Sequence, residues 1–185
     1  MKLQGNIMRT FIAIELPKEI REYLTEIQKQ IGSENAKIKW VAKKHLHLTL
    51  KFLGEISEKR IELLKELLGK IKFKRFEVNL SSLGVFPNEK KINVIWIDLK
   101  PAGKIIELQQ KIDSELLNNF PKEQRFYAHL TLGRVKFVKN KEALLEKIKN
   151  VKIEPKEFEI NEFKLIKSDL TKDGPVYTVL VTYSS

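Results

Sequence analysis

The sequence repeats itself once. His47-Leu48-Thr49-Leu50 returns as His129-Leu130-Thr131-Leu132, and Phe76-Glu77-Val78-Asn79 returns as Phe158-Glu159-Ile160-Asn161, each pair 82 positions apart. Ile14-Glu15-Leu16-Pro17 is echoed by Ile97-Asp98-Leu99-Lys100-Pro101. Two tetrapeptide matches at one offset point to an internal duplication, and two copies of so long a period do not suit a solenoid. The expected product is a pair of βα-rich lobes related by a pseudo-two-fold axis. No Pro-, Gly- or Ser-rich linker separates the copies, so residues 1–185 are expected to form a single two-lobed domain.

Hydrophobic periodicity places the elements. Strands are expected at Thr10–Leu16, His45–Phe52, Phe76–Val85, Ile92–Leu99, Phe126–Val135, Phe158–Ile166 and Val176–Tyr183. Helices are expected after Pro17 (Ile20, Leu24, Ile27 and Ile31 inward), after Ser57 (Ile61, Leu64 and Leu68 inward), over Ala102–Leu117 and over Lys141–Lys149. The fold class is α+β, with two antiparallel sheets flanking a central cleft and the helices outside.

Composition narrows the function. With 42% hydrophobic and 32% charged residues the chain is not a disordered tail, and 185 residues can bury a core without staples. No apolar run reaches the roughly 18–20 residues of a membrane-spanning helix, so no membrane partner is expected. The first residues carry no apolar signal segment, which makes the cytoplasm the expected location. Cysteine is absent, removing disulfides, thiolate zinc sites and thiol catalysis. The net charge of +11 points to a polyanionic partner, nucleic acid above all. Of the 35 basic residues 29 are Lys, many alternating with Glu, a surface also typical of hyperthermophile proteins.

Two of the three histidines occupy matching positions in the repeat. Strand alternation puts each on one face with the Thr two residues later, while Leu48, Leu50, Leu130 and Leu132 point into the lobes. If the lobes face one another, His47/Thr49 and His129/Thr131 line opposite walls of one cleft. Displacement at phosphorus sets attacking and leaving oxygens in line, so one imidazole can deprotonate the nucleophile while the other protonates the leaving oxygen. An ordinary histidine pKa of about 6.5 keeps both forms accessible. The Thr hydroxyls can hold the non-bridging oxygens, where charge develops. The symmetry does not say which histidine is acid and which base. A metal site from His45, His47 and His129 lacks a neighbouring carboxylate, so no metal and no cofactor is expected.

The same offset pairs Lys43 with Arg125, His45 with Tyr127 and Lys51 with Gly133, all on the histidine face by parity. Lys43 and Arg125 are candidate phosphate contacts at the cleft rim. Tyr127 and His45 are candidates for stacking on bases. Lys51 could reach the phosphate, although Gly133 in the other copy argues against a need for it. Arg134 has the opposite parity and should point away unless the strand bulges at Gly133. Trp40, Phe86 and Trp96 read as core or cleft-floor aromatics. Lys172-Asp173-Gly174 reads as a turn. No glycine loop of the Walker or dinucleotide type is present, so ATP use is not expected.

The paired motifs, with Trp40-Val41, Lys51-Phe52-Leu53-Gly54-Glu55, Gly84-Val85-Phe86-Pro87 and Gly133-Arg134 around them, resemble the 2′-5′ RNA ligase family, also called RNA 2′,3′-cyclic phosphodiesterases, of the two-histidine phosphoesterase superfamily. The likeness runs from Met8 onward, which makes residues 1–7 an upstream start or a dispensable extension. It implies the bilobal LigT-like fold and hydrolysis of a terminal 2′,3′-cyclic phosphate on RNA to a 2′-phosphate, tRNA halves being among the candidate partners. It further implies His47 as proton donor to the departing 3′-oxygen, His129 as the base that activates water, and Thr49 and Thr131 as phosphate holders. An RNA 5′-hydroxyl in place of water would give weak, reversible, ATP-independent 2′-5′ ligation. A monomer is expected, because the duplication supplies both halves of the site. A phosphodiesterase for small nucleotides and a non-catalytic module for RNA ends are the alternatives.

Overall fold

The computed structural model describes residues 7–172 and 174–185. In chain order the elements are β1 (Ile7–Glu15), α1 (Lys18–Ile31), β2 (Ala36–Trp40), a 3-10 turn (Lys43–His45), β3 (His47–Ser57), α2 (Glu58–Gly69), β4 (Phe76–Asn88), β5 (Lys91–Lys100), α3 (Gly103–Leu116), β6 (His129–Val138), α4 (Lys141–Asn150), β7 (Glu157–Ile160), β8 (Glu162–Thr171) and β9 (Gly174–Ser184). Of the seven residues expected to be an extension, 1–6 lie outside the described residues. Ile7 is already in β1, opposite Ser57.

The described strands join in the order β7-β4-β5-β6-β3-β1-β8-β9, with β2 added alongside β6. The two expected sheets are its halves, β7-β4-β5-β6 and β3-β1-β8-β9. A single residue pair, Leu48 with Leu130, joins them. Leu48 and Leu130 are counterparts in the repeat, as are Glu77 and Glu159, which face each other where β4 meets β7. The pseudo-two-fold axis therefore passes through both pairings.

The repeats exchange elements. β4, from the first copy, pairs with β5 of the second; β8, from the second, pairs with β1 of the first. The helices do the same, α1 packing with α4 and α2 with α3. Each half-sheet thus draws on both copies, which explains the missing linker. The apolar stripes behave as their spacing predicts: Ile20, Leu24, Ile27 and Ile31 of α1, Leu48 and Leu50 of β3, and Leu130 and Leu132 of β6 are all buried in one core. Fully burying such side chains contributes roughly 1.5–3 kcal/mol each. Asn140 caps α4 by accepting a hydrogen bond from the Ala143 N–H at 3.0 Å.

Three local features depart from the expectation. The segment read as one strand from Phe158 to Ile166 breaks at Asn161, because β7 belongs to one half-sheet and β8 to the other. β2 was not legible in a five-residue, lysine-alternating stretch. It takes the edge of β6 that β3 leaves free after Leu130, with Trp40 opposite Gly133. A Cβ at Gly133 would lie 2.7 Å from Ile38 Cγ2 and 2.7 Å from Trp40 Cε3, so this close approach requires glycine. Finally, residues 43–45 form a 3-10 turn rather than the start of a strand. In the expected turn at 172–174, Asp173 lies outside the described residues; Thr171 and Gly174 close the β8–β9 hairpin around it. Among the described residues no helix is long and apolar enough to cross a membrane.

Candidate active site

His47 and His129 each open a strand at the seam, and the backbone just upstream fixes both rings in the same way. His47 Nδ1 lies 2.6 Å from the carbonyl oxygen of His45, and His129 Nδ1 lies 2.7 Å from that of Tyr127. A carbonyl can only accept, so Nδ1 carries the hydrogen and Nε2 is left as the site where a proton is gained or lost. The Thr49 hydroxyl donates to His47 Nε2 at 3.0 Å. Among the described residues His129 Nε2 has no such partner.

The strands then bulge at matching places. Ile12 and Ala13 face Lys51 and Thr49, leaving Leu50 extra; Ile95 and Trp96 face Gly133 and Thr131, leaving Leu132 extra. An extra residue reverses the alternation beyond it. Lys51, expected on the histidine face, is therefore buried. Its ammonium binds Asp113 and donates to the Pro121 carbonyl at 2.7 Å. Arg134, expected to point away unless the strand bulged, is exposed on the other side, near enough for its charge to act on His129 and Tyr177. Its counterpart Phe52 is likewise exposed and lies 6.2 Å from Phe11.

Each imidazole is set among aromatic rings. Phe11 and Tyr177 lie 5.0 and 5.7 Å from His47, and Tyr177 also lies 4.5 Å from His45. Phe86, Trp96 and Tyr127 lie 5.0, 6.1 and 6.4 Å from His129. Phe86 and Trp96 are the floor beneath His129, as expected, with Trp96 lying over Gly84. Trp40 instead covers Gly133 and donates from Nε1 to Ser33 Oγ at 3.1 Å.

Burial holds both catalytic candidates below the ordinary histidine pKa, against the opposing pull of their carbonyl partners. The remaining influences differ. The His45 ring lowers His47 further while the Glu15 carboxylate raises it; the Arg134 guanidinium lowers His129. Burial and the Asp98 carboxylate raise the Tyr127 hydroxyl. At neutral pH the unliganded cleft therefore holds two neutral imidazoles with opposite electrostatic neighbours.

The family model for LigT-like phosphoesterases matches residues 14–96 and again residues 97–177, once for each copy of the repeat. The chain belongs to this family. An RNA 2′,3′-cyclic phosphodiesterase from Methanocaldococcus jannaschii is 40% identical over 175 residues, covering 94% of this chain and 98% of the relative. One from Aquifex aeolicus is 35% identical over 184 residues, covering 94% and 95%. Among solved structures, Escherichia coli LigT complexed with 3′-AMP superposes with a TM-score of 0.78 at 27% identity, covering 97% of this chain and 98% of that one. TT0787 of Thermus thermophilus gives 0.76 at 29% identity, covering 96% and 97%.

In this LigT-like phosphoesterase the fold sets His47 and His129 one residue before the paired Leu48 and Leu130, with Thr49 and Thr131 one residue beyond those leucines and the Tyr127 ring beside His129. Lys43 is not among them: it sits in the 3-10 turn, and its ammonium binds Glu22 of α1 at 2.8 Å. Arg125 is exposed on the segment leading into β6, with no side-chain partner among the described residues. Arg134, Phe11, Phe52 and Tyr177 are the residues that strand parity alone did not assign to the cleft. The signal for Arg134 lay in the Gly-Arg pair, since glycine inside a strand marks a bulge or a close approach. Among the described residues no group of three or more His, Asp or Glu side chains is placed to share a metal ion.

Proposed function

We propose that this protein hydrolyses a terminal 2′,3′-cyclic phosphate on RNA to a 2′-phosphate, with His47 as acid, His129 as base and no metal ion. The observation that carries the reading is the pair of carbonyl-anchored imidazoles with contrasting neighbours: Glu15 favours the protonated form of His47, and Arg134 the neutral form of His129. The names of the curated relatives agree with it, and E. coli LigT holds a 3′-nucleotide.

The phosphate's negative charge raises the proton affinity of the nearby rings, so His47 takes up a proton as substrate binds. His129 Nε2 removes a proton from water as its oxygen attacks phosphorus opposite O3′. The P–O3′ bond breaks while His47 Nε2–H protonates O3′, leaving the phosphate on O2′. His129 ends protonated and His47 neutral, and exchange with solvent restores both. Each transfer is worth about 10²–10⁴-fold. The Thr49 and Thr131 hydroxyls and the Arg134 guanidinium hold the non-bridging oxygens. Tyr127, 47% exposed, offers a ring for the terminal base, while Arg125 supplies rim charge to the RNA backbone. Lys43, neutralised by Glu22, adds little.

A strained cyclic phosphate is already activated, so an RNA 5′-hydroxyl replacing water gives a 2′-5′ linkage without ATP. Water is far more abundant, so ligation is weak and reversible. One chain supplies both walls of the cleft, consistent with a monomer. The test is a 5′-labelled RNA ending in a 2′,3′-cyclic phosphate, followed by assignment of the product. A 2′-phosphate is expected; a 3′-phosphate or an unchanged end contradicts the reading.

A further inference from the structure

One pocket is lined in part by His47 and another by Tyr127, whose ring lies 6.4 Å from His129, and they are repeat counterparts that have diverged. The one beside Tyr127 measures about 790 Å³ and is lined by Asn79, Ser81, Asp98, Lys100, Phe126 and Tyr127 with apolar neighbours. The one beside His47 measures about 230 Å³ and is lined by Glu15, Arg21, Lys44, His45 and Tyr177 with apolar neighbours. In the aligned repeat Glu15 corresponds to Asp98, Lys44 to Phe126 and His45 to Tyr127. Two cations thus stand on the His47 side, whereas the Tyr127 side carries aromatic rings and one cation, Lys100, which lies 3.8 Å from the Asp98 carboxylate.

Most of the paired lysines in this protein meet a carboxylate on a neighbouring turn or strand, but Arg21 and Lys44 make no ion pair among the described residues. The Arg21 Nε–H is buried without a hydrogen-bond partner, an unmet donor that a ligand oxygen would satisfy. The carboxylate in the same wall, Glu15, is bound by the Lys164 ammonium at 2.5 Å, so it leaves the niche with a net positive charge.

We infer that the niche beside His47 binds the phosphate on the 5′ side of the substrate's terminal nucleotide and so turns O3′, not O2′, toward His47. The inference rests on the proposed hydrolysis for its mechanistic meaning. In a ribose C5′ hangs from C4′, next to C3′, while the base hangs from C1′, next to C2′. With phosphorus held between the histidines and O3′ toward His47, the 5′-phosphate falls on the His47 wall and the base on the Tyr127 wall. The reverse orientation sets the 5′-phosphate against the Asp98–Lys100 pair, which offers no free cation, and the base between two cations unpaired among the described residues, and it would release a 3′-phosphate. Arg21 and Lys44 are therefore specificity-determining: they choose which oxygen leaves.

Binding tests this without requiring turnover. Calorimetry compares adenosine 2′-monophosphate with adenosine 2′,5′-bisphosphate on the wild type and on Arg21→Gln, Lys44→Gln and, as a charge control, Lys65→Gln. The 5′-phosphate should tighten wild-type binding about 10–100-fold, the range of a charge-assisted hydrogen-bonded contact. That gain should shrink severalfold in either niche variant and persist in the control. Equal affinities in the wild type, or a gain that survives both niche substitutions, overturn the inference. A gain lost in the niche variants by a protein inert toward cyclic phosphates leaves the niche standing and removes the proposed hydrolysis instead.

Discussion

Leu48 pairs with Leu130 where β3 meets β6, and each is the other's counterpart in the repeat. The two histidines precede these leucines by one residue, so the axis that relates the repeats also relates the histidines. Because the strands pair at this one residue and then part, the half-sheets diverge from the seam at which both histidines stand. Both leucines are fully buried, which fixes the face on which His47 and His129 must stand.

The first prediction concerns pH. The proposed mechanism needs His129 neutral and His47 protonated, and burial lowers both pKa values below about 6.5. The kcat/KM profile should be a bell with its maximum on the acid side of neutrality. Removing the positive charge in Arg134→Gln raises the His129 pKa and moves the acid limb to higher pH. Glu15→Gln lowers the His47 pKa and moves the alkaline limb to lower pH. Stability follows the same groups: well above the unfolded histidine pKa nothing is lost. As pH falls below it the unfolded chain binds protons that the folded one resists, so stability declines. Profiles in which both variants shift the same limb would refute the division of roles.

Arg134 should matter to the transition state and not only to binding. Arg134→Ala is expected to lower kcat about 10²–10³-fold on a short cyclic-phosphate RNA, the usual cost of removing one donor to a developing anion. Arg134→Lys should recover only part of it, since an ammonium cannot reproduce the guanidinium fork. Steady-state kinetics showing a change confined to KM would reduce Arg134 to a rim contact.

How much of this could be read from the chain alone depended on whether the relevant physics was local. The histidine–threonine pairs, the four leucines and the helix stripes follow from period-two and period-3.6 spacing, and all fall where the spacing puts them. Lys51 and Arg134 did not, because parity counts residues and a bulge inserts one; Leu50 and Leu132 are the inserted residues. His45 and Lys43 were misplaced for a related reason, the 3-10 turn having ended the strand early. Tyr177 and β2 are brought to the site or its support by long-range pairing with no local signature, and the exchange of β4 and β8 between the copies is likewise invisible to spacing.

Lys51 tests that correction. Its side chain is 3% exposed, and that of its partner Asp113 is 1% exposed. Burial alone would raise the Asp113 pKa, but hydrogen bonds from Lys51, Gln109 and the Glu123 N–H outweigh it and lower it. Lys51→Met should cost about 3–5 kcal/mol by stranding that carboxylate, and adding Asp113→Leu should recover much of the loss. Denaturant melts measure both. The folded variant should retain its kcat; a large fall in kcat at full folding would return Lys51 to the cleft.

Gly84 should prove irreplaceable for the cleft floor. A Cβ there would lie 2.2 Å from Trp96 Cζ2, and the indole is backed by the Phe86 ring stacked 4.7 Å away. Gly84→Ala should cost about 1–3 kcal/mol and reduce turnover by shifting the ring beneath His129. Thermal unfolding and single-turnover rates on the same preparation give both numbers; an unperturbed rate would mean that Trp96 does not position His129.

The central claim is that His47 and His129 act as one acid–base unit without a metal. It is tested most directly by single-turnover hydrolysis of a short RNA ending in a 2′,3′-cyclic phosphate, with EDTA present, by the wild type, His47→Ala, His129→Ala and the double variant. The account predicts full wild-type activity in EDTA and a loss of at least about 10²-fold in each single variant. The double variant should be little worse than either single one, as for groups that act together. Activity abolished by EDTA, or losses that multiply in the double variant, would contradict it.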